Sequence, residues 1–133
     1  MRSDLRHARI WYGVGWAAVI AATALSLMPN SVLQPGSLND KLEHTAGYAL
    51  LTIWFCGVYP RSRYPAIAIA FLLMGIAIEV LQGAMPWGRQ AELYDVYAGA
   101  AGIALGVCLS WATPLGQWAR RVEALLAGIQ ARI

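Results

Sequence analysis

The chain has 133 residues, a formal net charge of +3, 59% hydrophobic residues and 13% charged ones. Soluble domains carry about 25% charged residues, and disorder requires low hydrophobicity with high charge, so both classes are excluded. The ten Lys and Arg are scattered rather than gathered into a basic stripe, which argues against nucleic acid. Two cysteines in apolar runs make no disulfide framework.

What remains is an all-α, polytopic membrane protein in one domain, residues 1–133. Four charge-poor stretches organise it: Arg9 to Asp40 (densest in apolar residues from Ile10 to Met28), His44 to Pro60, Tyr64 to Ile78, and Val96 to Ala119. A spanning helix needs ~20 mostly apolar residues, and lipid offers the backbone no partners, so the spans must be helical. The expected transmembrane helices cover about 10–28, 41–59, 64–82 and 92–112. The connectors carry breakers: Pro29-Asn30, Pro35-Gly36, Pro60, Pro65, Gly83, Pro86 and Gly88. A cleaved signal peptide over 1–24 is the rival for the first span, with Arg2, Arg6 and Arg9 ahead of it and Ala22-Thr23-Ala24 as cleavage site. The apolar run is longer than the usual ~7–15 residues and holds Trp11, Tyr12 and Trp16, which favours a span.

Beyond Thr113-Pro114 the pattern changes. Leu115, Trp118, Val122, Leu125, Leu126, Ile129 and Ile133 recur at helical spacing, with Gln117, Arg120, Arg121, Glu123, Gln130 and Arg132 opposite. Thr113 is the expected N-cap and Pro114 suits the first position. An amphipathic helix over about 114–132, lying on the cytoplasmic membrane surface, is expected.

Orientation follows from Lys and Arg. Arg2, Arg6, Arg9, Arg61, Arg63, Arg120, Arg121 and Arg132 fall on one side of the four-span arrangement, and only Lys41 and Arg89 on the other. The positive-inside rule puts both termini in the cytoplasm.

Polar residues in the spans share one depth. With Tyr59, Tyr64 and Trp111 as inner-interface anchors, His44, Glu79 and Asp95 lie fifteen or sixteen residues further along their helices. That is ~22–24 Å from the inner boundary, about 6–8 Å below the outer surface of a ~30 Å core. Lys41, Tyr48, Gln82 and Glu92 stand close in sequence, and Arg89 lies in the outer loop. Helical spacing aligns Lys41, His44, Tyr48 and Thr52; Gly75, Glu79 and Gln82; and Glu92, Asp95, Gly99, Gly102 and Gly106. The glycine stripe, and Gly13, Ala17 and Ala21 on the first helix, allow close helix contacts or pairing with a second copy. An ionised Glu79 among Ile, Ala, Val and Leu would cost about 2.5–3.5 kcal/mol on insertion scales, so it is expected to pair with Arg89 or Lys41. Cys56 and Cys108 are expected as buried, inert thiols, and His7 is given no role.

Asn39-Asp40-Lys41-Leu42-Glu43-His44 with Tyr48 resembles the D-K-x-x-H-x-x-x-Y signature of the VanZ-like family. Glu79-x-x-Gln82, then Pro86, Arg89 and Asp95, resemble its E-x-x-Q…P-x-x-R…D block, and Gly102 and Gly106 match its small tail. The similarity covers roughly residues 39–106. One departure is Gly99, where the family usually carries Asn. The resemblance implies a multi-pass bacterial envelope protein from a family named for teicoplanin resistance, and no known reaction.

The residues favour a ligand site of Lys41, His44, Tyr48, Glu79, Gln82, Arg89, Glu92 and Asp95, open to the exterior of the plasma membrane. Its expected ligand is an anionic envelope lipid or a polyprenyl-phosphate-linked precursor, held by Lys41 and Arg89, with Trp87, Tyr94 and Tyr97 at the mouth. The alternative is a membrane hydrolase or transferase with His44, Glu79 and Asp95 as catalytic candidates and His44 paired with Glu79 as acid and base. Transport ranks third, because the inner halves of the spans are apolar and there is no internal repeat. No cofactor is expected, and no metal, since Lys41 and Arg89 compete for the carboxylates.

Overall fold

The computed structural model describes residues 4–29, 38–86 and 90–133. Among them are five α-helices and no strand: α1 (Ala8–Ser26), α2 (Leu38–Val58), α3 (Tyr64–Ala84), α4 (Leu93–Ala112) and α5 (Trp118–Gln130), with short 3-10 turns at Arg61–Arg63 and Pro114–Gln117. Arg2, Asn30, Pro35, Gly36, Trp87, Gly88 and Arg89 lie outside the described residues. Pro65 sits in the first turn of α3, where its missing N–H costs nothing. Thr113 closes α4 in extended conformation, and its hydroxyl accepts from Leu115 N–H. It thus caps the 3-10 turn that precedes α5 rather than α5 itself.

Among the described residues, three helices are long and apolar enough to cross a membrane: Ala8–Ser26, Arg61–Ala84 and Leu93–Ala112. Helix α2 is equally long at 21 residues, but its first turns carry Asp40, Lys41, Glu43 and His44. Outward, Ile10, Ile20, Leu50, Ile69, Leu73, Val80 and Leu105 are exposed. So much apolar surface suits lipid rather than water.

The core is centred on α2. Val19, Tyr48, Phe55, Phe71 and Ile103 pack together from four helices. Helices α2 and α4 run parallel in close contact, because α4 presents no side chain along one stripe. A Cβ on Gly102 would fall 2.2 Å from the Thr45 carbonyl oxygen, and one on Gly106 would fall 2.7 Å from Thr52 Cβ. The Thr45 hydroxyl adds a 3.1 Å bond to the Ala98 carbonyl.

Helix α1 packs antiparallel to α2 through a different face from the expected one. Gly13 has open space at its Cβ position, whereas a Cβ on Gly15 would meet Trp54 at 2.7 Å. The buried residues of α1 are Ala8, Gly15 and Val19. The expected Gly13–Ala17–Ala21 stripe does not carry this contact, since the bulky Trp54 indole needs the gap at Gly15. Cys56 is buried as expected, but Cys108 is exposed; on α4 it stands opposite the glycine stripe. Tyr64 is buried rather than an outward anchor, with its hydroxyl 2.5 Å from where a Gly116 Cβ would lie.

Helix α5 folds back onto the bundle end formed by the start of α1 and the end of α2. Trp118 meets Trp54 and Trp11 with ring centroids 4.4 and 5.3 Å apart. Glu123, expected on the solvated face, is buried. Its carboxylate accepts from the backbone N–H of Arg6 and His7, each at 2.7 Å, and from Trp11 Nε1 at 2.9 Å. Arg120 pairs with Asp4 at 2.8 Å. The apolar Leu125, Leu126 and Ile129 are left exposed.

Burial pushes the Glu123 carboxyl up, but the three donors outweigh it and hold it below the ordinary glutamate value. A depressed folded pKa contributes stability that is full above the unfolded value of about 4.3 and is lost as pH falls through the folded one. Lowering the pH from about 5 towards 3 should therefore loosen α5 from the N-terminal segment. Limited proteolysis by an acid protease should cut near residue 117 faster as the pH falls, and Glu123→Gln should cut readily throughout. A wild-type rate that ignores pH would disprove the latch.

Candidate functional site

The first turns of α2 place Asp40, His44 and Tyr48 one helical turn apart each, so they share a face, with Lys41 alongside. Helix α4 begins opposite with Glu92 at its N-cap and Asp95 in its first turn. Lys41 Nζ donates to Glu92 Oε2 at 2.5 Å and to Asp95 Oδ1. Asp95 is 6% exposed, so this ion pair is shielded from solvent on the acid's side. The other Asp95 oxygen, Oδ2, lies 3.7 Å from His44 Nε2, and Asp40 Oδ1 lies 3.8 Å from the same nitrogen. Both exceed hydrogen-bond reach.

Glu79 is 7% exposed on α3. Its Oε2 accepts from Glu92 N–H at 2.9 Å, which puts a carboxylate at the positive end of α4. Gln82 is fully buried and donates to the Ser26 carbonyl at 2.5 Å, meeting one of the orphan carbonyls that end α1. Tyr48 fills the gap between α3 and α4: a Cβ on Gly75 would meet its hydroxyl at 3.1 Å, and one on Gly99 its ring at 3.1 Å. Gly99 is therefore coupled to the Tyr48 position, and an Asn there would require the ring to move.

A cavity of about 250 Å³ opens beside this cluster, between α1, α2 and α3. Asp40, Glu43 and His44 of α2 and Leu25 and Ser26 of α1 line its outer end, and Leu51 and Met74 line it deeper in the bundle.

Lys41, His44, Tyr48, Glu79, Glu92 and Asp95 thus meet at one end of the bundle, while Gln82 serves α1. Arg89 and Trp87 lie outside the described residues. Three expectations change. Lys41 bridges Glu92 and Asp95, because these carboxylates lie directly across the α2–α4 contact. The carboxylates nearest His44 belong to Asp40 and Asp95 rather than to Glu79, whose Oε2 is engaged at the start of α4. Tyr94 and Tyr97 are 74% and 59% exposed and pack on each other, away from the cavity, since the glycine face of α4 is the one that turns inward. Asp40 and Glu43 were missed as site residues. The signal for Asp40 was present, as it precedes His44 by one turn on the same face.

Compared with known proteins, the chain matches no family model, no curated protein and no solved structure.

Proposed function

We propose that the protein is a four-span plasma-membrane protein of a bacterium that binds an envelope lipid, in particular a lipid-linked precursor, at the exterior end of the α1–α2–α3 cavity. The observation that carries this reading is the cavity itself, whose polar residues Ser26, Asp40, Glu43 and His44 stand at the bundle end while the deeper Leu51 and Met74 are apolar. That gradient matches a headgroup at the interface with its chain in the hydrocarbon. The residue-level resemblance to the VanZ-like family supports the multi-pass envelope setting of this reading.

Helix α2 is the fourth span. It runs beside α4 from Lys41–Asp95 to Thr52–Gly106, so the two cross the same layer. Its charged first turns face carboxylates of α4 instead of lipid. The arginines Arg6, Arg9, Arg61, Arg63, Arg120 and Arg121 lie on segments at the other end, which the positive-inside rule makes cytoplasmic. Helix α5 then offers Leu125, Leu126 and Ile129 to the inner leaflet as a surface helix. In a Cys56→Ser, Cys108→Ser background, Gln90→Cys should label from outside with an impermeant thiol reagent and Ser62→Cys only after lysis. External labelling of Ser62→Cys would invert the topology.

Gly47 tests the ligand reading. It lines the cavity, and a Cβ there meets nothing within 4 Å. Gly47→Leu should fill the space without a clash, keep the thermal midpoint, and lower retention of a polyprenyl phosphate in native mass spectrometry at least tenfold. Equal retention would remove the cavity from the binding reading.

A further inference from the structure

We propose that Asp40, His44 and Asp95 form a binding site for one divalent cation of the Zn²⁺ or Mn²⁺ class at the mouth of the cavity. Imidazole and carboxylate together suit these ions. The three side chains come from two helices. Asp40 and His44 sit one turn apart on α2, and Asp95 reaches across from α4. One ligand atom from each lies within 4.8 Å of the others.

The distances are compatible with an ion held between the three side chains. His44 Nε2 stands 3.8 Å from Asp40 Oδ1 and 3.7 Å from Asp95 Oδ2, too far for a hydrogen bond. Ligand atoms bound tetrahedrally at ~2.0–2.2 Å lie about 3.3–3.6 Å apart. A shift of a few tenths of an ångström would bring His44 to that spacing from each carboxylate, and the Asp40 and Asp95 oxygens lie within 4.8 Å of one another. The side chains of His44, Asp40 and Asp95 are 14%, 15% and 5% exposed, so water screens the ion's charge weakly.

Charge agrees. Among the described residues the carboxylates of Asp40, Glu43, Glu79, Glu92 and Asp95 gather at this end of the bundle against the ammonium of Lys41, an excess of negative charge that a divalent cation would reduce. Lys41 does not occupy the ligand position, because it binds Asp95 Oδ1 and leaves Oδ2 towards His44. It acts as a positioning residue, fixing the carboxylate as outer partners of metal ligands do. Asp40 and His44 both border the cavity, so the remaining coordination position faces the space assigned to a lipid head. Resting on that lipid reading, the ion would receive a phosphate oxygen that the acidic rim of Asp40 and Glu43 would otherwise repel.

The test uses the full chain in detergent, stripped with EDTA and titrated by calorimetry with Zn²⁺, Mn²⁺ and Mg²⁺, each alone. Zn²⁺ or Mn²⁺ should bind one per chain, raise the thermal midpoint and exceed Mg²⁺ in affinity. His44→Gln and Asp40→Asn should each weaken binding at least about tenfold while melting like the wild type in EDTA, which shows that they fold. Glu43→Gln, at the rim but outside the triad, should bind as the wild type does. Gly47→Leu should keep the metal while losing the lipid, which separates failure of this site from failure of the lipid reading. Absence of stoichiometric binding by any of the three ions, or undiminished binding in both His44→Gln and Asp40→Asn, would overturn the proposal.

Discussion

Replacing Lys41 with Met should destabilise the protein by about 3–5 kcal/mol in EDTA, the range for removing one partner of a buried ion pair. The cost falls at Asp95, whose carboxylate is nearly inaccessible and takes one of its contacts from Lys41 Nζ. Glu92 adds little, because its side chain is 38% exposed and solvent screens it. The double change Lys41→Met with Asp95→Asn should recover most of the loss, since it removes both charges together. Thermal unfolding in detergent measures all three variants. A Lys41→Met protein that melts within a degree of the wild type would show that water reaches Asp95 and that the pair is a surface one.

Gly102→Leu should separate α2 from α4 and prevent a stable fold, and Gly102→Ala alone should cost at least the ~1–3 kcal/mol of overpacking. The reason is geometric: the new Cβ would sit 2.2 Å from the Thr45 carbonyl oxygen, a backbone atom of a long helix that cannot swing aside. Gly13→Ala is the matched control. Its Cβ enters open space, so only the helix-propensity gain of up to ~1 kcal/mol remains. The intrinsic preference is equal at both glycines, and the difference between them isolates the α2–α4 contact. Opening that contact should also draw Lys41 from Asp95, so Gly102→Ala should weaken Zn²⁺ or Mn²⁺ binding as well as stability. Equal stability of Gly102→Ala and Gly13→Ala would contradict the close approach.

Helix positions were legible in the sequence to within two or three residues for the first four helices: the expected 10–28, 41–59, 64–82 and 92–112 correspond to Ala8–Ser26, Leu38–Val58, Tyr64–Ala84 and Leu93–Ala112, whereas the helix expected over 114–132 begins at Trp118 after a 3-10 turn. In lipid each helix must satisfy its own backbone, so where a span starts and stops depends on local charge, proline and apolar length. The glycine stripe of α4 was legible for a similar reason, because absence of a side chain is a property of the residue itself and helical spacing aligns it. That His44, Glu79 and Asp95 stand at the same end of the bundle followed from counting residues along straight helices.

Partner choice was decided only by the tertiary structure. Whether Lys41 meets Glu79 or Asp95 depends on the rotation of α2 about its axis and its register against α4, and the residues in question differ by one helix, not by type. The Gly102–Thr45 approach fixes both quantities, and with them the placing of Asp40 and His44 beside Asp95. On α1, a single bulky contact at Trp54 selected Gly15 over Gly13. Glu123 shows the same limit at the other end of the bundle. Its spacing puts it on the polar face of α5, but the N–H groups of Arg6 and His7 that bury it lie over a hundred residues away in sequence. Local pattern fixes which way a side chain leaves its helix; what it meets there depends on ångström-scale packing between helices, which no single segment encodes.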